Sequence, residues 1–255
     1  MKIASWNVNG IRARIEHVTA WIKSNQPDVL ALQETKVMDD MFPFEAFTSL
    51  GYEAMIYGQK SYNGVALLSK KSPKECTRGI DDFVDEQTRV ISGIYEGVKI
   101  IDVYIPNGQS VGSEKFEYKM RWLTNLHRYL EASIKRNERI VILGDFNIAP
   151  QDIDVHDPIE WKGKVLCSDE EREWLHKIEK IGFVDSFRLF NQDEGLFSWC
   201  DYRMASYRRK MGMRIDLILI SEALRKNCIK SYIDETPRAL EKPSDHTPVL
   251  IELRL

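Results

Sequence analysis

Short apolar runs of strand length, each ending abruptly in side chains that bind protons or metal ions, recur along this chain and limit the folds open to it. Ile140-Val141-Ile142-Leu143 runs into Gly144-Asp145-Phe146-Asn147, and Asp28-Val29-Leu30-Ala31-Leu32 runs into Gln33-Glu34-Thr35. Ile100-Ile101-Asp102-Val103 leads into Tyr104-Ile105-Pro106-Asn107-Gly108. The alternating stretch Lys2 to Val8 carries Asn7 and Asn9 on the face of Ser5, just before Gly10. A continuous apolar run this short reads as a strand covered on both faces, which requires layers above and below it. Acids and amides at several strand ends are how a layered protein builds a site on rigid elements.

The segments between these strands supply the layers. Ile15, Val18 and Ile22 recur at helical spacing until Pro27 stops the helix. Val65 to Ser69 reads as a strand, and Arg89 to Tyr95 with Val98 to Ile105 as an antiparallel hairpin turning at Glu96-Gly97. Phe116, Met120, Leu123, Leu126, Leu130 and Ile134 fall on one face of a long helix, which ends in Lys135-Arg136 as the helix dipole favours. Ser168 and Glu171 form a capping box for a helix carrying Trp174, Leu175 and Ile178, closed by Gly182. Strands return at Ile215 to Ile220, Cys228 to Ile233 and Pro248 to Leu253. Helices between some strands and hairpins between others predict a layered α/β fold with mixed sheets. No repeat, low-complexity tract or Ser/Gly linker interrupts the 255 residues, so one continuous domain is expected.

Composition narrows the function classes. The chain has 36 Lys+Arg against 39 Asp+Glu, so 36 − 39 = −3, which excludes a uniformly basic nucleic-acid coat. With 43% apolar residues it can fill a sizeable core, and disorder is a poor reading. No window approaches the roughly 18 apolar residues of a membrane span. The N-terminal stretch meets polar Asn7 too early for a signal-peptide core, so a soluble, cytoplasmic, non-secreted protein without a membrane partner is expected. Cys76, Cys167, Cys200 and Cys228 show no zinc-ligand spacing and read as reduced thiols.

Each candidate residue has an ordinary use by itself. Glu34 could be a solvated strand-end carboxylate, Gly144-Asp145-Phe146-Asn147 an Asx turn, Tyr104 a half-buried strand aromatic, and His246 a loop histidine beside Asp245. Asp216, within an apolar strand, is harder to dismiss, because a buried carboxylate needs a partner and an imidazole is the natural one. As a set, the oxygen donors Asn7, Glu34, Asp145, Asn147 and Asp245, with no Cys or His cluster, select Mg2+ or its substitute Mn2+ over zinc. A His–Asp pair, a tyrosine and amide donors beside such a cation suit attack of water on a phosphodiester.

Six stretches carry a family resemblance. Trp6-Asn7-Val8-Asn9-Gly10, Leu32-Gln33-Glu34-Thr35-Lys36, Tyr104-Ile105-Pro106-Asn107-Gly108, Gly144-Asp145-Phe146-Asn147, Arg214-Ile215-Asp216 and Ser244-Asp245-His246-Thr247-Pro248 resemble the ordered motifs of the exonuclease III family of apurinic/apyrimidinic endonucleases. They span residues 6 to 248. The resemblance implies a four-layer α/β sandwich of the DNase I type, two packed mixed sheets flanked by helices, in a single endonuclease/exonuclease/phosphatase catalytic domain over 1–255. It implies a monomer that acts on double-stranded DNA with abasic sites or blocked 3′ ends. Incision would fall 5′ to the abasic site and leave a 3′ hydroxyl, with 3′ to 5′ exonuclease and 3′ phosphatase activity alongside.

The same resemblance distributes the roles. Glu34 and Asn7 would hold Mg2+, with Asp245 nearby and Asp145 and Asn147 lining a second position. Asp145 would take the proton from water and Asn147 would stabilise the transition state. His246, held by Asp216, would contact the phosphate, and Tyr104 would orient or protonate it. Trp199, Met213 and Ile215 would form an apolar pocket for the abasic sugar, and Asn107 would contact DNA. Between Tyr202 and Arg214 stand Arg203, Arg208, Arg209, Lys210 and Arg214 with no acid, so Arg208 and Arg209 are expected to track phosphates. Phosphoinositide phosphatases, sphingomyelinases and deadenylases share the acid, amide and Asp–His elements, but the Tyr104-to-Gly108 motif and the basic loop after Trp199 favour DNA. A catalytically dead DNA-end binder would lack a ligand or base, and none is missing.

Overall fold

The computed structural model describes all 255 residues, Met1–Leu255. Twelve strands form two six-stranded mixed sheets. The first contains β1 (Lys2–Asn7), β2 (Val29–Gln33), β3 (Glu53–Tyr57), β4 (Val65–Ser69), β11 (Cys228–Ile233) and β12 (Val249–Leu253), in the order β11-β12-β1-β2-β4-β3. The second contains β5 (Lys74–Arg78), β6 (Val90–Tyr95), β7 (Val98–Tyr104), β8 (Ile140–Asp145), β9 (Phe183–Asp185) and β10 (Asp216–Ser221), in the order β5-β6-β7-β8-β10-β9.

Why the runs are apolar on both faces follows from the layers. Ile3, Val29, Ala31 and Leu67 of the first sheet meet Ile100, Val141, Leu143 and Ile218 of the second in a central core. The alternate residues of the same strands face helices. Ala4, Trp6, Leu30 and Leu32 pack against Ile11, Val18 and Ile22 of α1 (Ile11–Asn25) and Phe47 of α2 (Phe44–Thr48). Ile101, Ile140 and Ile142 pack against Trp122, Leu123 and Leu126 of α3 (Glu114–Arg136), with Trp174 and Ile178 of α5 (Asp169–Lys180) beyond the short α4 (Pro158–Trp161). The result is the expected four-layer sandwich. No helix is long and apolar enough to cross a membrane.

The helices start where their caps dictate. Ser113 accepts the Phe116 amide at the head of α3, and Ser168 and Glu171 cap α5 reciprocally. The apolar stripe of α3 is rotated slightly from the one expected. Met120 and Ile134 are only half-buried, whereas Lys119, Trp122 and Tyr129 are buried. Three strands were not legible in the sequence. β5 is an exposed edge with no apolar alternation, β3 is the opposite kind of edge in the first sheet, and β9 has three residues.

Strand direction places the site. β1 and β2 run parallel with Asn7 opposite Gln33, and β7 and β8 run parallel with Tyr104 opposite Asp145. The ends of all four therefore lie at one edge of the sandwich. β10 is antiparallel to β8, so its first residue, Asp216, lies opposite Asp145. The segment before β12 carries His246 to the same edge, because β12 is antiparallel to β1 and Val249 pairs with Ser5. Gly144 enables the last turn of β8. Its φ is +141° and an added Cβ would lie 1.9 Å from the Val103 carbonyl oxygen, so only glycine lets the strand deliver Asp145 here.

Candidate active site

The centre of the site is a chain of buried carboxylates and amides between the two sheets. Asn7 on β1 donates its side-chain amide to Glu34 Oε1 at 2.8 Å and to Asp145 Oδ2 at 2.9 Å. Asp145 also accepts the Asn147 backbone N–H at 2.9 Å. On its other side lies His246, whose Nε2 is 3.7 Å from Asp145 Oδ2 and whose Nδ1 is 2.9 Å from Asp216 Oδ2. His246 thus stands between two carboxylates, and the partner required by buried Asp216 is the imidazole, as its position in the strand implied. Asp245 does not pair with its neighbour. It accepts from Asn9 Nδ2 at 2.9 Å and from Trp199 Nε1 at 3.1 Å.

The loop backbones are shaped for this convergence. Asn9, Glu34 and Asn147 all have φ near +50°, the left-handed region that non-glycine residues rarely occupy. Residues held there cluster at functional sites, where the surrounding hydrogen bonds must over-determine them. For Asn147 those bonds are explicit. Its Oδ1 accepts from Asn107 Nδ2 and its Nδ2 donates to the Ile105 carbonyl, both at 3.0 Å. Ser244 fixes the His246 loop by donating to the Asn7 carbonyl at 2.7 Å while accepting the His246 N–H at 3.2 Å.

Electrostatics assign each group a protonation state. Burial raises the Asp145 carboxyl and nearby Asp216 and Glu34 add to that, against the pull of His246, to about 7. Burial would lower the His246 imidazolium, but Asp216 and Asp145 outweigh it and raise it to about 10. Burial also raises Glu34, yet Lys36, 2.8 Å away, and the Asn7 amide bring it below its ordinary value. Asp245 is likewise held low, by His246, Asn9 and Trp199 against burial. The Tyr104 phenol is pushed well above its usual range by burial, Glu34 and Asp145, and so keeps its proton. At neutral pH the site offers two firm carboxylates, a base poised near neutrality, an imidazolium and a phenol.

The donor set fits a hard cation. Glu34, Asp145 and His246 each place a ligand atom within 4.8 Å of the others. A protonated imidazole has no free lone pair, which leaves Glu34 and Asp145 as the facing oxygens. The other candidates differ in availability. Asn7 presents its amide nitrogen to these carboxylates, its Oδ1 accepting from the Asn9 N–H at 3.0 Å. Both ends of the Asn147 amide are engaged, and both Asp245 oxygens accept hydrogen bonds.

The proposed DNA contacts separate into surface and interior. Trp199 is half-buried with its ring 6.4 Å from that of His246, and Asn107 is exposed. Met213 and Ile215 are 0% and 2% exposed, packed with Ala149, Val155 and Leu166. Met213 and Ile215 thus pack beneath Trp199, which alone of the three reaches the surface. The basic loop is also smaller than its sequence suggests. Arg214 is buried against Asp154 at 2.6 Å and Asp185 at 2.7 Å, and Arg203 pairs with Asp201. Arg208, Arg209 and Lys210 remain exposed and without salt bridges. A cavity of about 360 Å³ beside Trp199 is lined by Tyr207, Arg208, Arg238 and Asp245. A second, of about 720 Å³, is lined by Tyr62, Arg89, Tyr104, Asn107 and Lys115.

Several positioning residues were not singled out in the sequence. Arg89 lies 4.6 Å from the centre of the Tyr104 ring and donates to the Tyr104 carbonyl at 2.9 Å. Lys36 joins Glu34 to Asn9 Oδ1, and Arg14 joins the Asn9 carbonyl to the Tyr202 hydroxyl. Only the Glu-Thr-Lys spacing hinted at any of these, since a cation two residues past a candidate ligand can reach it.

Comparison with known proteins agrees with this geometry. Residues 4–246 match the Endonuclease/Exonuclease/phosphatase family. The chain is 40% identical to exodeoxyribonuclease III of Haemophilus influenzae over an alignment of 267 residues that covers 100% of each chain. Its structure superposes with a TM-score of 0.98 on the 3′ phosphatase NExo from Neisseria bound to a product DNA hairpin, at 40% identity and 100% coverage of both chains. It superposes with a TM-score of 0.95 on an AP endonuclease from Archaeoglobus fulgidus, at 38% identity and again 100% coverage of both. Six motifs meeting at one edge of a DNase I-like sandwich, with kinship over the whole length, place the chain in the Endonuclease/Exonuclease/phosphatase family, within its exonuclease III branch of hydrolytic DNA nucleases.

Proposed function

We propose that this protein is a Mg2+-dependent DNA-repair phosphodiesterase, for which Mn2+ can substitute. It cuts duplex DNA 5′ to an abasic site, leaves a 3′ hydroxyl, and removes nucleotides and phosphate blocks from 3′ ends. One observation carries the reading: Asp145 stands between Glu34, to which the Asn7 amide joins it, and the His246 imidazole held by Asp216. Those are the parts needed to activate water and bind a phosphoryl group at one point.

Glu34 and Asp145 would hold the divalent cation, which would supply Lewis-acid polarisation of the phosphoryl group and charge neutralisation. The protein's own groups do the rest. Asp145 accepts a proton from the attacking water. His246 and Tyr104, both protonated, donate to the non-bridging phosphate oxygens, and the Asn147 Nδ2 hydrogen not spent on the Ile105 carbonyl supplies a further donor as charge develops. The phosphorus–O3′ bond breaks as the water oxygen bonds to phosphorus, and the departing O3′ takes a proton from solvent to become the 3′ hydroxyl. Trp199 covers the sugar that lacks a base, and Arg208 and Arg209 hold the flanking backbone. We read residues 1–255 as one catalytic domain, acting as a monomer in the cytoplasm, where the DNA of a bacterial or archaeal cell lies.

The test uses three duplexes, with an internal abasic site, a recessed 3′ end or a 3′ phosphate. Cleavage 5′ to the abasic site is expected with Mg2+, is lost in EDTA and returns when Mg2+ is restored. Asp145→Asn is expected to abolish turnover while leaving affinity for abasic DNA nearly unchanged. Full activity in chelator, or hydrolysis of a phosphoinositide headgroup with no cutting of the abasic duplex, overturns the reading.

A further inference from the structure

A fully buried cation lies behind the site rather than in it. Lys119, on α3, is 0% exposed, as is its partner Glu171 on α5. Burying an ammonium is expensive unless each of its three donors finds an acceptor. Here each does. Lys119 Nζ donates to the Asn147 carbonyl at 2.7 Å, to the Asn107 carbonyl at 3.2 Å and to the Glu171 carboxylate. Two of the three acceptors are therefore the backbones of the two loops that carry Tyr104, Asn107, Asp145 and Asn147.

Glu171 is equally saturated. Besides Lys119 it accepts the Leu166 N–H, the Ser168 N–H and the Ser168 hydroxyl. A capping box legible in the sequence thus doubles as the counter-charge for a cation the sequence did not single out. Space has been made for the connection. An added Cβ at Gly108 would stand 3.1 Å from Lys119 Cδ and 3.3 Å from Phe116, at a φ of +92°. The carbonyl that Lys119 grips most closely belongs to Asn147, whose backbone sits in the left-handed region and whose side chain is bonded to Asn107.

We infer that Lys119, charge-balanced by Glu171, is a positioning residue that locks the Asn107 and Asn147 loops into one geometry and thereby aims the Asn147 amide at the phosphate. The inference rests on the proposed role of Asn147. The lock joins two loops from β7 and β8 to helices on the outer layer, so the site is braced from behind by the sandwich itself. Both side chains of the pair are sealed from solvent.

The test is a double-mutant cycle on the full chain, with a duplex bearing a tetrahydrofuran abasic analogue and Mg2+. Lys119→Met keeps the volume and removes the donors. It is expected to lower kcat roughly ten- to hundredfold, the order of loss from misplacing a reacting group by about an ångström, with KM within about twofold. Because the lock acts through Asn147, Lys119→Met combined with Asn147→Ala is expected to lose no more than Asn147→Ala alone. If Lys119→Met fails to fold because Glu171 is left charged and unpaired, the paired replacement Lys119→Met with Glu171→Gln carries the same cycle, since glutamine preserves a capping box. Wild-type kcat in the folded variant, or losses that multiply in the cycle, overturns the inference. An unchanged kcat in Asn147→Ala instead removes the reading of Asn147 and the inference with it.

Discussion

Asp102 should make this protein less stable as pH rises, and replacing it with asparagine should remove that loss. Asp102 lies on β7 facing the space between the sheets and is 0% exposed. Its Oδ1 accepts from Gln33 Nε2 at 2.7 Å, while Asp102 Oδ2 and Gln33 Oε1 have no hydrogen-bond partner. Burial pushes its carboxyl well above the ordinary range, by more than the Gln33 amide and the Ala66 N–H pull it down. The folded chain therefore keeps a proton that the unfolded chain releases near pH ~4. With one more proton bound in the folded state, stability falls by about 1.4 kcal/mol per pH unit above the unfolded value, for as long as the folded carboxyl remains protonated. Asp102→Asn has no proton to lose and places an amide donor where an acceptor was unpartnered. Its stability relative to wild type should grow by about 1.4 kcal/mol for each pH unit over which the folded Asp102 keeps its proton. In a chain of this size that is a widening of the Tm difference by roughly 3–6 °C for each such pH unit. Urea unfolding at several pH values, wild type against variant, measures it. A stability difference that stays constant with pH would mean that Asp102 titrates alike in the folded and unfolded chains, and the burial argument would fail.

Other perturbations test other levels. Gly144→Ala must place its Cβ 1.9 Å from a carbonyl, and should cost more than about 3 kcal/mol in denaturant unfolding; near-wild-type stability would disprove the strand geometry at Asp145. Asp216→Asn keeps the shape of the His246 contact but removes its charge, and kcat should fall by about 10²- to 10⁴-fold, as in other His–Asp pairs, with KM little changed. Arg208→Ala with Arg209→Ala should weaken duplex binding and flatten its salt dependence by about 0.9 in log–log slope for each phosphate no longer neutralised. An unchanged slope in a fluorescence-anisotropy titration would return this loop to plain surface.

Much of the fold was legible because the signals were local and strong. β4 matches the sequence expectation residue for residue, and the β6–β7 hairpin turns at Glu96-Gly97 as its composition implies. The edge strand β5 escaped because it is exposed at all five positions, so burial imposed no pattern on it. At the site, the residues of the motifs, Asn7, Glu34, Tyr104, Asp145 and His246, lie together at one edge. Burial was what the motifs could not convey. Met213 and Ile215 are apolar residues beside a site in sequence, but the bridges that tie Trp199 to both Met213 and His246 leave only the tryptophan near the surface.

Which strands end in chemistry was settled by consecutive residues, because an apolar run followed by an acid or amide needs no distant partner to be seen. That Asp216 needed a partner was equally local, since a carboxylate among apolar neighbours must be satisfied. How those ends are braced and charged was settled only by packing across the fold. Arg214 was turned from a member of the basic loop into a buried ion pair with Asp154, 60 residues away, and Lys119 into a tie between two loops through Glu171, 52 residues away. The protonation of Asp145 and His246 was likewise set by neighbours from separate strands and loops. Charge acts through space and burial is a property of the packed whole, so neither could be read from residues taken in order.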